Sequence, residues 1–340
     1  MSELLPLTRV AYQAQQTALR WSLVLAHAGL RTFLRRKRKR QPSPQDLGHL
    51  RRRLRELLER DWQNVEAGDY PAELLFQMPV REYAGTLPRL AAELPRMAWR
   101  ARRGAVRELP KDVDLAAYPD YFRRNFHWQT DGYLSHRSAQ LYDLGVEFLF
   151  LGTADVMRRQ VIPPVSQFTR ERPGKKRVLD VACGTGRTLL QLSLAHPGHE
   201  YTGLDLSPFY LQRAGELLAG RGVSLLSGNA EKLPMPAHSF DVVTSVFLFH
   251  ELPLRARRNV LTEMRRVLEP GGLLVLEDAA QLNDSPELST FLQNFGHDMN
   301  EPFFADYLAS PLENEVEQAG FQLEQVVPSF LSKVVVARAR

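Results

Sequence analysis

Three stretches of this chain carry residue types able to do chemistry. The first is Asp180-Val181-Ala182-Cys183-Gly184-Thr185-Gly186, with Asp205 following nineteen residues after Gly186. Gly184 and Gly186 let a backbone turn sharply and approach a ligand with no Cβ in the way. A carboxylate about 20 residues beyond such a turn suits ribose hydroxyls. The second is His250-Glu251, at the end of the apolar run Val246-Phe247-Leu248-Phe249. Histidine titrates near neutrality and suits proton abstraction, and Glu251 could orient it or act itself. The competing reading is that the pair caps the next helix, its carboxylate near the positive end of the dipole. The third is residues 118–145, dense in Tyr, Phe, His and Trp. Tyr133, His136 and Tyr142 are candidates for a lid over a ligand; the bland alternative is packing on a sheet. Phe303 and Phe304 either line an apolar substrate pocket or fill the core.

Absences narrow the ligand. A dinucleotide site wants a third glycine three residues after Gly186, where this chain has Leu189. No Gly-Lys-Ser/Thr is present, which excludes a phosphate-cradling P-loop. A ribose site without a phosphate site suits S-adenosylmethionine. His199, Glu200, His297 and Asp298 form no metal-spaced set, so no metal is expected. Cys183, the one cysteine, excludes an internal disulfide and fits a reducing, cytoplasmic setting, with its thiol filling space in the turn.

Alternating strands and helices must position these groups. Strands are expected at 177–182, 201–205, 223–226, 240–247, 273–276, 321–327 and 332–337. Helices are expected from the glycine turn to about 196, at 207–219 with Ser207 as N-cap, at 255–268 and at 312–319. Such alternation argues for an α/β fold with a parallel sheet. The end of strand 240–247 then reaches the carboxyl edge of the sheet, where ligands bind in open α/β sheets.

Over residues 175–340 the chain resembles the class I S-adenosylmethionine-dependent methyltransferases. Their first motif is commonly Asp-x-Gly-x-Gly-x-Gly, and Ala182 stands here where the first glycine is usual. Gly228-Asn229-Ala230 resembles the family's Gly-Asp-Ala, and Pro270-Gly271-Gly272 its turn into the fifth strand. The resemblance implies a Rossmann-like, mostly parallel seven-stranded sheet with an antiparallel final strand, and S-adenosylmethionine as cofactor. It implies Asp180, Ala182, Gly184, Thr185 and Gly186 at the methionine end and Asp205 and Leu206 at the ribose and adenine. Asn229 and Ala230 would flank adenine, with Val246 at the far wall. The run from Phe247 to Leu252 is similar to the small-molecule group that includes quinone-ring methyltransferases, which implies a small, lipophilic acceptor. Segments ahead of the first strand often act as a lid in this family.

The first half divides into a basic arm at 1–40 and a helical accessory region at 45–165, ahead of the methyltransferase-like domain at 170–340. Residues 1–60 hold fourteen Arg and Lys against four Asp and Glu, a net of +10; the whole chain is +5, so residues 61–340 carry −5. Residues 8–34 read as a helix abutting the basic run 35–40. Residues 8–40 are read either as an interfacial anchor on anionic lipid, giving a peripheral membrane protein, or as an ordinary helix with a solvated basic tail. No aromatic interleaves the basic run, which counts against nucleic acid. Two other functions stay open: a non-catalytic cofactor-binding subunit, and a nucleic-acid methyltransferase steered by the arm.

Overall fold

The computed structural model describes residues 7–20 and 41–340. The expected helix beyond residue 20 and the basic run 35–40 lie outside the described residues. Helix α1, residues 7–20, leads the described chain. It is followed by α2 (Pro44–Glu66), α3 (Val80–Arg103), α4 (His136–Leu149), α5 (Ala154–Arg158) and α6 (Ile162–Glu171). Then come β1 (Arg177–Val181), α7 (Arg187–Ala195), β2 (Glu200–Asp205), α8 (Pro208–Leu217), β3 (Ser224–Ser227) and β4 (Phe240–Val246). The chain closes with α9 (Leu254–Val267), β5 (Leu268–Ala279), α10 (Ser289–Asp298), α11 (Phe304–Ala309), α12 (Leu312–Gln318), β6 (Phe321–Ser329) and β7 (Ser332–Ala339).

The strands form one seven-stranded sheet in the order β3-β2-β1-β4-β5-β7-β6. Strands β1 to β5 are mutually parallel, and β7 lies antiparallel between β5 and β6. The order reverses between β1 and β4, which opens a crevice at their carboxyl ends. Side-chain period two divides the core. Leu179, Val243, Leu274, Leu276 and Val335 pack against α9 and the helices that follow it. Val178, Val242, Leu273, Val275 and Val334 face the other way. There they meet Leu189 and Leu192 of α7, Val165 and Phe168 of α6, and Tyr12 and Trp62 from α1 and α2. The first half of the chain therefore supplies part of one cover of the sheet.

A polar cluster locks that cover in place. Asp61, wholly buried, accepts from Tyr12 Oη at 2.5 Å, Tyr70 Oη at 2.6 Å and Arg159 Nη2 at 2.6 Å. Three carboxylate partners of that quality offset the desolvation of the ion pair.

α3 runs as a single helix through Pro88 and Pro95. Both prolines lie on its exposed side. The carbonyls they orphan can turn to water, while Tyr83 and Leu90 pack on Leu141 and Leu144 of α4. β5 also starts earlier than expected, because Leu268 already pairs with Phe240 ahead of the Pro270-Gly271-Gly272 turn.

Candidate active site

The crevice holds about 740 Å³ between its walls, the open mouth included. On one side stand Ala182 and Gly184 from the turn after β1, Asp205 and Leu206 after β2, Asn229 and Ala230 after β3, and Val246 at the end of β4. Tyr121, Phe122, Tyr133 and Tyr142 from the accessory region and Tyr210 from α8 supply its aromatic lining. Glu251 closes the far end.

The turn after β1 is built by backbone demands. Ala182 adopts φ 58°, a left-handed conformation in which a Cβ is strained. At Gly184 (φ 54°) an added Cβ would meet nothing within 4 Å, because that side opens on the crevice. At Gly186 (φ 83°) it would come within 2.8 Å of Leu218 Cδ1. Gly184 thus leaves room for a ligand, whereas Gly186 lets α7 pack close to α8. Gly184 N–H donates to Asp205 Oδ2 and Ser207 N–H to Oδ1, each at 2.8 Å. The carboxylate is fixed at the crevice edge with lone pairs to spare. Burial raises its pKa, and the backbone donors oppose that. Asn229 Oδ1 accepts from Glu231 N–H at 2.9 Å, which sets the amide's orientation beside Ala230.

The aromatic wall is continuous. Tyr133 stacks on Phe126 with centroids 5.4 Å apart and meets Tyr210 edge-on at 5.3 Å. Its hydroxyl donates to Glu251 Oε1 at 2.5 Å. Burial and the nearby Glu301 carboxylate push the Glu251 carboxyl up to about 7, against the pull of His127 and His250.

Six expected residues stand off the crevice. His250 is buried beside it and does not face it. Its Nδ1 pairs with Asp278 Oδ1 at 2.6 Å, and its ring lies against Phe304 and Tyr307. Burial alone would lower its pKa; the Asp278 carboxylate outweighs that and lifts it to about 9. An imidazolium has no lone pair for a proton, so the geometry does not favour His250 as a base. Asp180 lies beneath the floor, accepting from Thr244 Oγ1 at 2.7 Å. Thr185 donates to Asp143 of α4 at 2.7 Å, and Gly186 serves the helix contact. His136 rests edge-on against Phe209, and Phe303 lies under the Arg124 guanidinium.

Residues 178–272 match the family profile described as "Methyltransferase domain". A demethylmenaquinone methyltransferase from Geobacillus kaustophilus is 38% identical over 41% of this chain and 59% of its own length. A ubiquinone/menaquinone biosynthesis C-methyltransferase from Desulfotalea psychrophila is 33% identical over 40% of this chain and 53% of its own length. Residues 178–272 carry a methyltransferase domain.

The chain spans little more than half the length of the two curated relatives just named. A solved S-adenosylmethionine-dependent methyltransferase from Aquifex aeolicus is 22% identical, covers 54% of this chain and 93% of its own, and has a TM-score of 0.39. The cofactor of the class is S-adenosylmethionine, and the crevice fits it. The open space at Gly184, the Asp205 carboxylate and the Asn229 amide lie along one wall of the domain, with no phosphate cradle beside them.

Several groupings at the site carried no signal in the sequence. Tyr210 and Phe122 join the wall only because α8 and the 120s loop meet in space. Asp278, the partner of His250, lies on β5, with only the strand pairing to bring it beside β4. Most telling are His127, Glu251 and Glu301, whose ligand atoms all lie within 4.8 Å of one another. Their positions are 124 and 50 residues apart, so no spacing rule could have grouped them.

Proposed function

We propose that this protein transfers a methyl group from S-adenosylmethionine to a small, lipophilic acceptor. The observation that carries this is the two-sided crevice. One wall presents the Asp205 and Asn229 polar groups, and the other is aromatic and ends on the Tyr133–Glu251 pair. When bound, S-adenosylmethionine supplies an activated methyl on a sulfonium. The task left to the chain is alignment of the acceptor with that methyl. Tyr121, Phe122, Tyr142 and Tyr210 offer flat apolar surface for a ring, and Glu251 with the Tyr133 hydroxyl holds its polar substituent. The relatives named for demethylmenaquinone and ubiquinone/menaquinone methylation support a quinone-like ring as the acceptor class.

A lipophilic acceptor also agrees with work at a membrane surface. No helix among the described residues is long and apolar enough to cross a bilayer. The +10 charge of residues 1–60 supports peripheral attachment through residues 8–40 to anionic lipid. Methyl-labelled S-adenosylmethionine should be incubated with the protein and separate lipid, RNA and protein extracts. Label is expected in the lipid fraction; label confined to RNA or protein refutes the acceptor class. Flotation should recover more protein with anionic than with neutral vesicles, and salt should reduce the difference. Equal recovery would remove the membrane reading alone.

A further inference from the structure

His127, Glu251 and Glu301 meet where the crevice ends. His127 also lines a second, mostly apolar cavity between α3 and α4, with Leu90, Met97, Leu141 and Met299. Glu251 belongs to the crevice, so the three residues stand in the partition between the two spaces. The Glu301 side chain is wholly buried, and neither of its oxygens receives a well-directed hydrogen bond. Its near neighbour is His127 Nε2 at 2.7 Å, and the same nitrogen is 3.8 Å from Glu251 Oε1. At that depth its spare acceptor capacity is open to a cation beside the imidazole.

The three donor atoms lie within 4.8 Å of one another, close enough to hold one ion. At bond lengths of about 2.1 Å, neighbouring donors are roughly 3.0 Å apart on an octahedron and roughly 3.4 Å on a tetrahedron. The observed 2.7 and 3.8 Å bracket both. The scaffold holds the donors rigidly. His127 sits at φ 52° and Trp128 at φ 59°, neither of which an unsupported chain would keep. Trp128 Nε1 donates to Asp298 O at 2.8 Å, and Asn300 Nδ2 donates to Asn125 O at 2.7 Å. These two bonds tie the His127 loop to the segment that carries Glu301. The Tyr133 hydroxyl, donating to Glu251 Oε1, fixes the second carboxylate from behind.

We propose that His127, Glu251 and Glu301 bind a first-row divalent cation. One imidazole and two carboxylates select manganese, iron(II) or zinc over magnesium and calcium, which avoid nitrogen. Two carboxylates neutralise the ion, so it does not repel a sulfonium in the adjoining crevice. Three protein donors leave coordination positions open. An acceptor with two adjacent oxygens, such as a hydroxyl beside a carbonyl, would occupy two of them. The cation site itself does not depend on methyl transfer.

Chelator-treated, tag-free full-length protein should be titrated with Mn²⁺ and followed by loss of the free-ion paramagnetic resonance signal. One equivalent is expected to bind, displaced by Zn²⁺ and little affected by equimolar Mg²⁺. Pulsed measurements on the wild-type complex should show coupling to one imidazole nitrogen. Glu301→Gln and His127→Asn should each weaken Mn²⁺ at least tenfold. Both should still bind S-adenosylmethionine, since neither residue lines the wall that takes it. Absence of Mn²⁺ binding at millimolar concentration overturns the proposal. So does absence of nitrogen coupling, or affinity unchanged in both variants; the cluster would then be a shared-proton network.

Discussion

Asp205 shapes the turn after β1 and, under the proposed function, also takes the ligand. Its two oxygens already accept from Gly184 and Ser207, so the carboxylate is oriented before any ligand arrives. Asp205→Ala should weaken S-adenosylmethionine binding by about 1–3 kcal/mol, the cost of leaving buried donors unpaired. Calorimetry showing unchanged affinity would refute the assignment. Ala182 invites the opposite test. At φ 58° it strains a position where the motif usually has glycine. Ala182→Gly should raise stability by up to about 1 kcal/mol, because relief of left-handed strain outweighs the added chain entropy. A lower melting temperature would contradict that. The glycine turn and Asp205 were legible because they are contiguous in sequence and spaced by one strand–helix unit. His250 was misplaced for the same reason in reverse. Its position after β4 was visible, but the direction of its ring depends on Asp278, on another strand.

Among the elements, the segment joining β4 to α9 is the most tightly specified. Asp278 of β5 accepts from Leu248 N–H at 3.0 Å, Phe249 N–H at 2.6 Å and His250 Nδ1. One buried carboxylate therefore shapes the turn that delivers Glu251 to the crevice. Asp278→Ala should destabilise the fold by about 3–5 kcal/mol, since it strands a buried imidazolium and two amides. Urea unfolding that shows less than about 1 kcal/mol would refute this account. Periodicity located the seven strands, and the family resemblance supplied the antiparallel last one. Propensity counts Pro88 and Pro95 as breaks, whereas α3 runs through both because the structure sets them on the solvent side. At the far end of β1, Ser166 Oγ lies 2.8 Å from His196 Nε2, linking α6 to the end of α7. Burial, with His199 and Arg170 nearby, holds His196 down to about 4. A depressed folded pKa means stability is full above the unfolded value of about 6.5 and is lost as pH falls toward 4. His196→Gln should flatten that part of the stability profile; an unchanged profile would assign it to other groups.

At the scale of the molecule, the accessory region is bound into the sheet's cover by Tyr12, Trp62, Tyr70 and the Asp61–Arg159 pair. All four tryptophans precede residue 129, whereas the sheet lies wholly after 176. Tryptophan fluorescence and far-ultraviolet dichroism should therefore give coincident urea transitions. Asp61→Ala should shift both together by about 3–5 kcal/mol, because it leaves Arg159 buried and unpaired. Separate transitions would mean that the two halves unfold independently. Sequence patterns could not reveal this docking, since the contacts join residues a hundred positions apart with no shared motif. The crevice has one further property. Donor-facing residues lie after position 180 and most of the aromatic wall before 143, so the two selections are written on separate stretches of chain. Under the proposed function, variation between 118 and 142 changes which molecule is methylated while the donor is read as before. A lineage, or an engineer, can thus exchange the recipient by editing one short passage, and the risk of losing the methyl source is confined to the other.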